Sequence, residues 1–199
     1  MKSAAFSARS LAAVALGAAL SVGCAGGRGA GADTANAVEK GYAPDRLLEI
    51  GRAHRRAGDA TRAEQYFAAV LESRSATETQ RAAALKEVLA TCIEAQRFRV
   101  AIDYAEPELR KHPDDVALLR LVASLAAAAG DGLKARESYE RLLLRAPNDA
   151  EAELGFARVL RDAFADRREA SLHFDRYLQL APSGPYAQEA RSFVAEVGP

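Results

Sequence analysis

Apolar and small side chains recur every three or four residues along most of the chain, with polar residues between them. The first two such runs are Leu47, Ile50, Gly51 and His54, then Ala63, Phe67 and Val70. This spacing is typical of amphipathic helices, and the Gly58–Asp59 pair between the runs is typical of a turn. Since no stretch resembles a half-buried strand, the pattern predicts an all-α fold.

A longer period is superimposed on the helical one. A small residue is followed four positions later by an aromatic ring at Ala63 and Phe67, Ala135 and Tyr139, and Ala170 and Phe174. Pro147 and Pro182 close the last two steps. A period of about 34 residues with these marks indicates stacked helical hairpins.

The pattern resembles the tetratricopeptide repeat (TPR), in which small residues let two antiparallel helices approach and a ring fills the gap to the next pair. The resemblance implies a right-handed α-solenoid of about four hairpins plus a C-terminal capping helix over residues 44–199. The predicted units are 44–77, 82–115, 116–149, 150–184 and a cap at 185–198.

Two units depart from the pattern. In the second, Ala105 stands at the ring position and Pro107 lies within the second helix, which predicts a bend or early break near residues 103–107. That break could distort a binding groove, or it could be a tolerated variation. In the fourth, the first helix starts one residue early relative to the second, which predicts a single insertion in the turn at 164–168.

Residues 1–23 have the features of an export signal, with Lys2 and Arg9 ahead of an uncharged run. The run ends at Ser21-Val22-Gly23-Cys24, which resembles the lipobox of bacterial lipoproteins, although Ser21 replaces the usual leucine. The resemblance implies lipidation of Cys24 and, with Ala25 next, an outer-membrane anchor with the domain facing the periplasm. A plain signal peptide cleaved elsewhere is the alternative.

Residues 24–43 are rich in Gly and Ala and show no apolar period, so we expect a flexible tether with a reach of roughly 25 Å. The chain carries 27 basic and 27 acidic residues. Loss of Lys2 and Arg9 with the signal would leave a net charge of about −2. This balance offers no bulk attraction to nucleic acid.

No set of residues has the spacing of a catalytic or metal site. The histidines His54, His112 and His173 form no i, i+4 pair, so we interpret each as structural or surface. The acidic residues of Asp114–Asp115 and Asn148–Asp149 follow the repeat prolines, where they are typical of helix N-caps. We therefore expect no cofactor, no metal and no enzyme, with Cys92 as a small buried hydrophobe.

The TPR resemblance implies a concave binding groove lined by the first helix of each hairpin. Its predicted partner-binding residues are Arg52, Arg55, Arg56, Lys86, Ala90, Arg120, Ser124, Ala127, Arg158 and Arg161. Basic residues outnumber acidic ones at the groove positions, which suits the carboxylates of a peptide partner. Ordinary solvated positions on exposed helix faces are an equal alternative, and the small residues would leave room for a peptide.

The sequence thus predicts an outer-membrane scaffold or adaptor that binds an extended segment of an envelope-assembly protein, of the pilus, secretin or outer-membrane assembly type. An accessory regulator of cell-wall enzymes or a glycan binder is the second hypothesis, and a periplasmic enzyme the third. The sequence leaves the partner and the oligomeric state undetermined.

Overall fold

The structure is a computed structural model that describes residues 41–198. The predicted export signal, the lipidation residue Cys24 and nearly all of the predicted tether lie outside these residues. The export signal, the lipid on Cys24 and the tether therefore remain predictions.

Residues 41–198 form nine α-helices and no strand. They are α1 Pro44–Arg56, α2 Ala60–Glu72, α3 Glu78–Glu94, α4 Phe98–Lys111, α5 Val116–Ala128, α6 Gly132–Arg145, α7 Ala150–Ala163, α8 Arg167–Leu180 and α9 Ala187–Val197. Consecutive helices pack as four hairpins in a row, and α9 packs on α8. The all-α solenoid with a capping helix is confirmed.

Aspartates set the helix starts. Asp59, Asp131 and Asp166 each accept a backbone N–H in the first turn of α2, α6 and α8. Asp115 and Asp149 do the same for α5 and α7, as their position after the repeat prolines predicts. In the turns before α2 and α6, Gly58 and Gly130 adopt positive φ values of 79° and 73°, which glycine tolerates best.

Small residues on the helices allow the buried rings to approach closely. A Cβ added at Gly51 of α1 would lie 2.5 Å from Cε1 of Phe67 in α2. A Cβ at Gly155 of α7 would lie 2.3 Å from the hydroxyl of Tyr139 in α6. Phe67 is fully buried and Tyr139 is 5% exposed, so the rings fill the space that the absent side chains leave, both within a hairpin and between hairpins.

The second hairpin differs from the expectation. Helix α4 runs without interruption through Pro107 to Lys111, so the predicted early break is wrong. Pro107 lacks the N–H that would bond one turn back, but Ala105 and Leu109 on either side are buried. Burial of this face outweighs the loss of one backbone bond. The hairpin of α3 and α4 nevertheless packs less extensively than the other three.

The extra residue of the fourth unit lies between Leu160 and Asp166, which overlaps the turn at 164–168 where the sequence predicts it. At the other three hairpin turns, the N–H of Asp59, Arg97 or Asp131 donates to the carbonyl five residues before it. In the fourth, the N–H of Asp166 donates to the carbonyl of Leu160, six residues before it, at 3.0 Å. Helix α7 has 14 residues against 13 in α5, and the hydrogen bond at its end closes a turn that is one residue longer than in the other hairpins.

The Gly155 contact yields a stability prediction. Gly155→Ala forces the Tyr139 hydroxyl aside and should lower the free energy of unfolding by roughly 1–3 kcal/mol, despite the better helix propensity of alanine. Chemical denaturation followed by circular dichroism measures this. Tyr139→Phe in the same chain removes the closest atom and should recover part of the loss. An unchanged stability for Gly155→Ala alone would show that the two helices do not approach as described.

Candidate protein-binding surface

The predicted groove residues all lie on the first helices of the four hairpins, α1, α3, α5 and α7. Along this face α1 packs against α3, and α5 packs against α7. Ser124 and Ala127 are exposed and Ala90 is half-buried. Most arginines of this face, in contrast, form hydrogen bonds with acidic residues of this chain.

Two predicted groove arginines join the first and second hairpins. The Nε of Arg52 donates to Glu87 at 2.7 Å, and a terminal nitrogen of Arg55 donates to the other carboxylate oxygen of Glu87 at 2.6 Å. Beside them, Gln80 donates to Asp45 at 2.9 Å. One carboxylate of α3 therefore holds two guanidinium groups of α1.

The third and fourth hairpins repeat this arrangement. The Nε of Arg120 in α5 donates at 3.0 Å to Asp149, the N-cap of α7. Arg158 and Arg161 of α7 both donate to Glu189 of the cap, at 3.1 Å and 3.0 Å. The Arg158 guanidinium also lies 4.4 Å from the centre of the Tyr186 ring, a cation–π contact that adds to the attachment of the cap.

The positive field that the sequence suggests is therefore largely offset by acids of the adjoining unit. Of the predicted basic residues, Arg56 and Lys86 alone have no side-chain partner among residues 41–198. The ion pairs with Glu87, Asp149 and Glu189 were not predicted, because each of these acids lies about one repeat beyond its arginine. The sequence signal that could have predicted these ion pairs is an arginine followed by an acidic residue about one repeat later.

A cleft lies between α3 and α4. Its volume is about 470 Å³, and its walls include Leu85 and Leu89 of α3 with Tyr104 and Pro107 of α4. Leu71 of α2 completes the apolar lining. Lys86 is the one predicted groove residue that also lines this cleft. The cleft therefore has apolar walls next to the ammonium group of Lys86, which has no acidic partner among residues 41–198.

The polar residues of the core have structural partners. His173 Nδ1 lies 2.6 Å from Glu153, a carboxylate that is 6% exposed, and His54 stacks on Tyr66. Residues 41–198 contain no group of side chains that could hold a metal ion. Cys92 is fully buried, which confirms its predicted role, and burial raises the pKa of its thiol to about 11. A thiol in that state is a weak nucleophile.

The architecture matches solved structures of helical-repeat proteins. A tetratricopeptide repeat protein from Parabacteroides merdae superposes with a TM-score of 0.64 at 20% identity, over 77% of this chain and 59% of that chain. MamA from Desulfovibrio magneticus superposes with a TM-score of 0.56 at 17% identity, over 78% of this chain and 95% of that chain. This chain folds as a TPR solenoid. At such identities the likeness concerns the fold alone.

A sequence relative matches part of this TPR solenoid. Cellulose synthase operon protein C from Pseudomonas fluorescens is 35% identical over 85 residues, which are 43% of this chain and 7% of that protein. The chain thus spans a small part of that relative. No known protein-family model matches the chain. Within residues 41–198, no helix is long and apolar enough to cross a membrane.

The Glu189 contacts predict a pH dependence for the capping helix. Hydrogen bonds from Arg158, and next from Arg161, lower the pKa of Glu189 below its ordinary value of 4.5. The carboxylate therefore stabilises the folded state above pH 4.5, and this contribution is lost as the pH falls through the lower folded-state value. The protection factors of the α9 amides, which correct for the slower intrinsic exchange in acid, should therefore fall as the pH is lowered below 4.5.

Glu189→Gln tests this assignment, with Glu151→Gln on the exposed face of α7 as a control. Glu189→Gln should loosen α9 already at pH 7 and reduce the acid dependence, whereas Glu151→Gln should retain wild-type exchange at pH 7. Equal exchange of α9 in the two variants would contradict the role of Glu189.

Proposed function

We propose that this TPR solenoid is a non-enzymatic scaffold that binds a segment of a partner protein. The observation that carries the proposal is the cleft of about 470 Å³ between α3 and α4, which combines apolar walls with the unpaired Lys86. A volume in this range is typical of ligand-sized pockets. Helical grooves of this kind accept peptide segments through apolar anchors and a few charged contacts.

We expect the partner to contact the first-helix face around the second hairpin. Arg56 and Lys86 remain available to carboxylates, while Arg52, Arg55, Arg120, Arg158 and Arg161 bind acids of this chain. Ala90, Ser124 and Ala127 leave space beside them for a peptide backbone. This arrangement favours a partner with acidic groups next to apolar ones.

The proposal extends to an envelope location. The Ser21–Cys24 pattern supports a lipid on Cys24, and the Gly-rich stretch before Pro44 supports a short tether between an outer membrane and the solenoid. The partner would then be an envelope-assembly protein of the pilus, secretin or outer-membrane assembly type that faces the periplasm.

Site-specific crosslinking in intact cells tests the scaffold role. A photo-crosslinking residue at Ala90, on the first-helix face, should capture a discrete partner protein. The same residue at Glu137 of α6, whose side chain is 70% exposed on a second helix, is the matched control. The same products from both positions, or none from Ala90, would contradict the scaffold proposal.

The location is tested separately with Cys24→Ala. Without the lipid, the protein should move from the outer-membrane fraction to the soluble fraction, and metabolic labelling with a fatty acid should be lost. Retention of both the label and the membrane fraction in Cys24→Ala would exclude an anchor at this residue. Thermal stability should remain unchanged, because Cys24 precedes the packed helices.

A further inference from the structure

The cleft between α3 and α4 arises from substitutions at places where the other hairpins are closed. Leu89 stands where the other first helices have a small residue, at Gly51, Ala123 and Ala157. A leucine at this place keeps the second helix from the close approach that the small residues permit. Leu89 itself is 9% exposed and forms part of the cleft wall.

The second helix of this hairpin also departs from the repeat pattern. Glu108 stands where the other second helices have a buried apolar residue, at Val70, Leu142 and Tyr177. A carboxylate without a buried partner is not stable in the core, and Glu108 instead lies in the cleft wall with its side chain 25% exposed. There it accepts a hydrogen bond from Lys111 at 2.9 Å.

The aromatic ring that closes the other hairpins is also displaced. Ala105 occupies the ring position, and Tyr104 beside it directs its hydroxyl to Glu64 of α2 at 3.2 Å. Helix α3 has 17 residues, against 13 or 14 in the other first helices, so it extends the wall of the cleft. Four departures from the repeat therefore converge on one open site: Leu89, Glu108, the displaced ring and the longer α3.

The acidic side chains that line the cleft have cationic partners, whereas one of the lining cations has no acidic partner within residues 41–198. Arg81 lies 3.8 Å from Glu78, and Lys111 binds Glu108, so both acids of the lining have cationic partners within it. Lys86 has no acidic partner among the described residues. An occupant that presents a carboxylate next to an apolar group would complement this site.

We propose that the cleft between α3 and α4 binds a peptide segment of the partner, which inserts an aromatic or branched aliphatic side chain between Leu85 and Tyr104 and pairs a neighbouring acidic residue with Lys86. This inference rests on the proposed scaffold function and names its specificity site. The apolar side chain supplies affinity by burial, and Lys86 selects the charge beside it.

A random-peptide display library selected on the full chain tests this specificity. The wild-type protein should enrich peptides in which an apolar residue lies within a few positions of Asp or Glu. Lys86→Glu should retain the apolar residue and change the enriched charge from acidic to basic. Arg168→Glu makes the same charge change at an exposed residue of α8, outside both the cleft and the first-helix face, and is the matched control that should leave the motif unchanged.

Filling the cleft gives an independent test. Ala82 is exposed on the cleft wall, so Ala82→Phe should block insertion without disturbing the core. Binding of a fluorescent enriched peptide should weaken by about tenfold or more in Ala82→Phe, and by about threefold to tenfold in Lys86→Glu. Circular dichroism establishes that each variant remains folded, and Lys86→Glu suffices if Ala82→Phe does not fold.

Three results would overturn the inference: an enriched motif without an apolar residue, the same motif after Lys86→Glu, or equal loss of binding in Arg168→Glu and Lys86→Glu. If the Ala90 crosslink to a partner persists under any of these results, the scaffold function stands and the cleft is not its specificity site. If the crosslink also fails, both proposals fall.

Discussion

The close approach of paired helices is the constraint on which the rest of this protein depends. A small residue on one helix lets a ring or a branched side chain of its neighbour occupy the space that a Cβ would need, as at Gly51 and Gly155. Because each ring is buried between helices, the stability of one hairpin depends on the next. Where Leu89 replaces the small residue, the hairpin opens and a cleft results.

The spacing of the repeats also brings charges of adjoining units together. Arg52 and Glu87, Arg120 and Asp149, and Arg161 and Glu189 are 28 to 35 residues apart and meet on one face. These pairs are partly exposed, so each contributes modestly to stability, but together they determine which cations remain for a partner. Pairing within the chain thereby leaves two of the seven predicted groove cations, Arg56 and Lys86, available to a partner.

Most of the fold could be predicted from the sequence because helical period and repeat period are local signals. The prediction of an early break at Pro107 was wrong, because the cost of one lost backbone bond is local, whereas the burial of Ala105 and Leu109 that offsets it depends on α3 and α5. The extra residue of the fourth unit could be located to within a few residues, because it shifts the register of the two helices on either side of the turn. Register alone does not show whether a helix lengthens or a loop does.

The candidate surface was less predictable than the fold. The groove positions could be predicted because they lie on the first helix of each hairpin. Whether an arginine at one of these positions remains unpaired depends on acidic partners such as Glu87, which lies on a different helix. The cleft was signalled by the degenerate second unit, although its position and lining required the packed helices.

The sequence by itself determined the helices, their caps, the number of hairpins and the small positions that allow them to close, since each depends on residues within one repeat. The tertiary structure alone decided which arginines are neutralised, that α4 continues past Pro107, and where the second hairpin opens. These outcomes depend on distances between residues of different repeats, which no local pattern records.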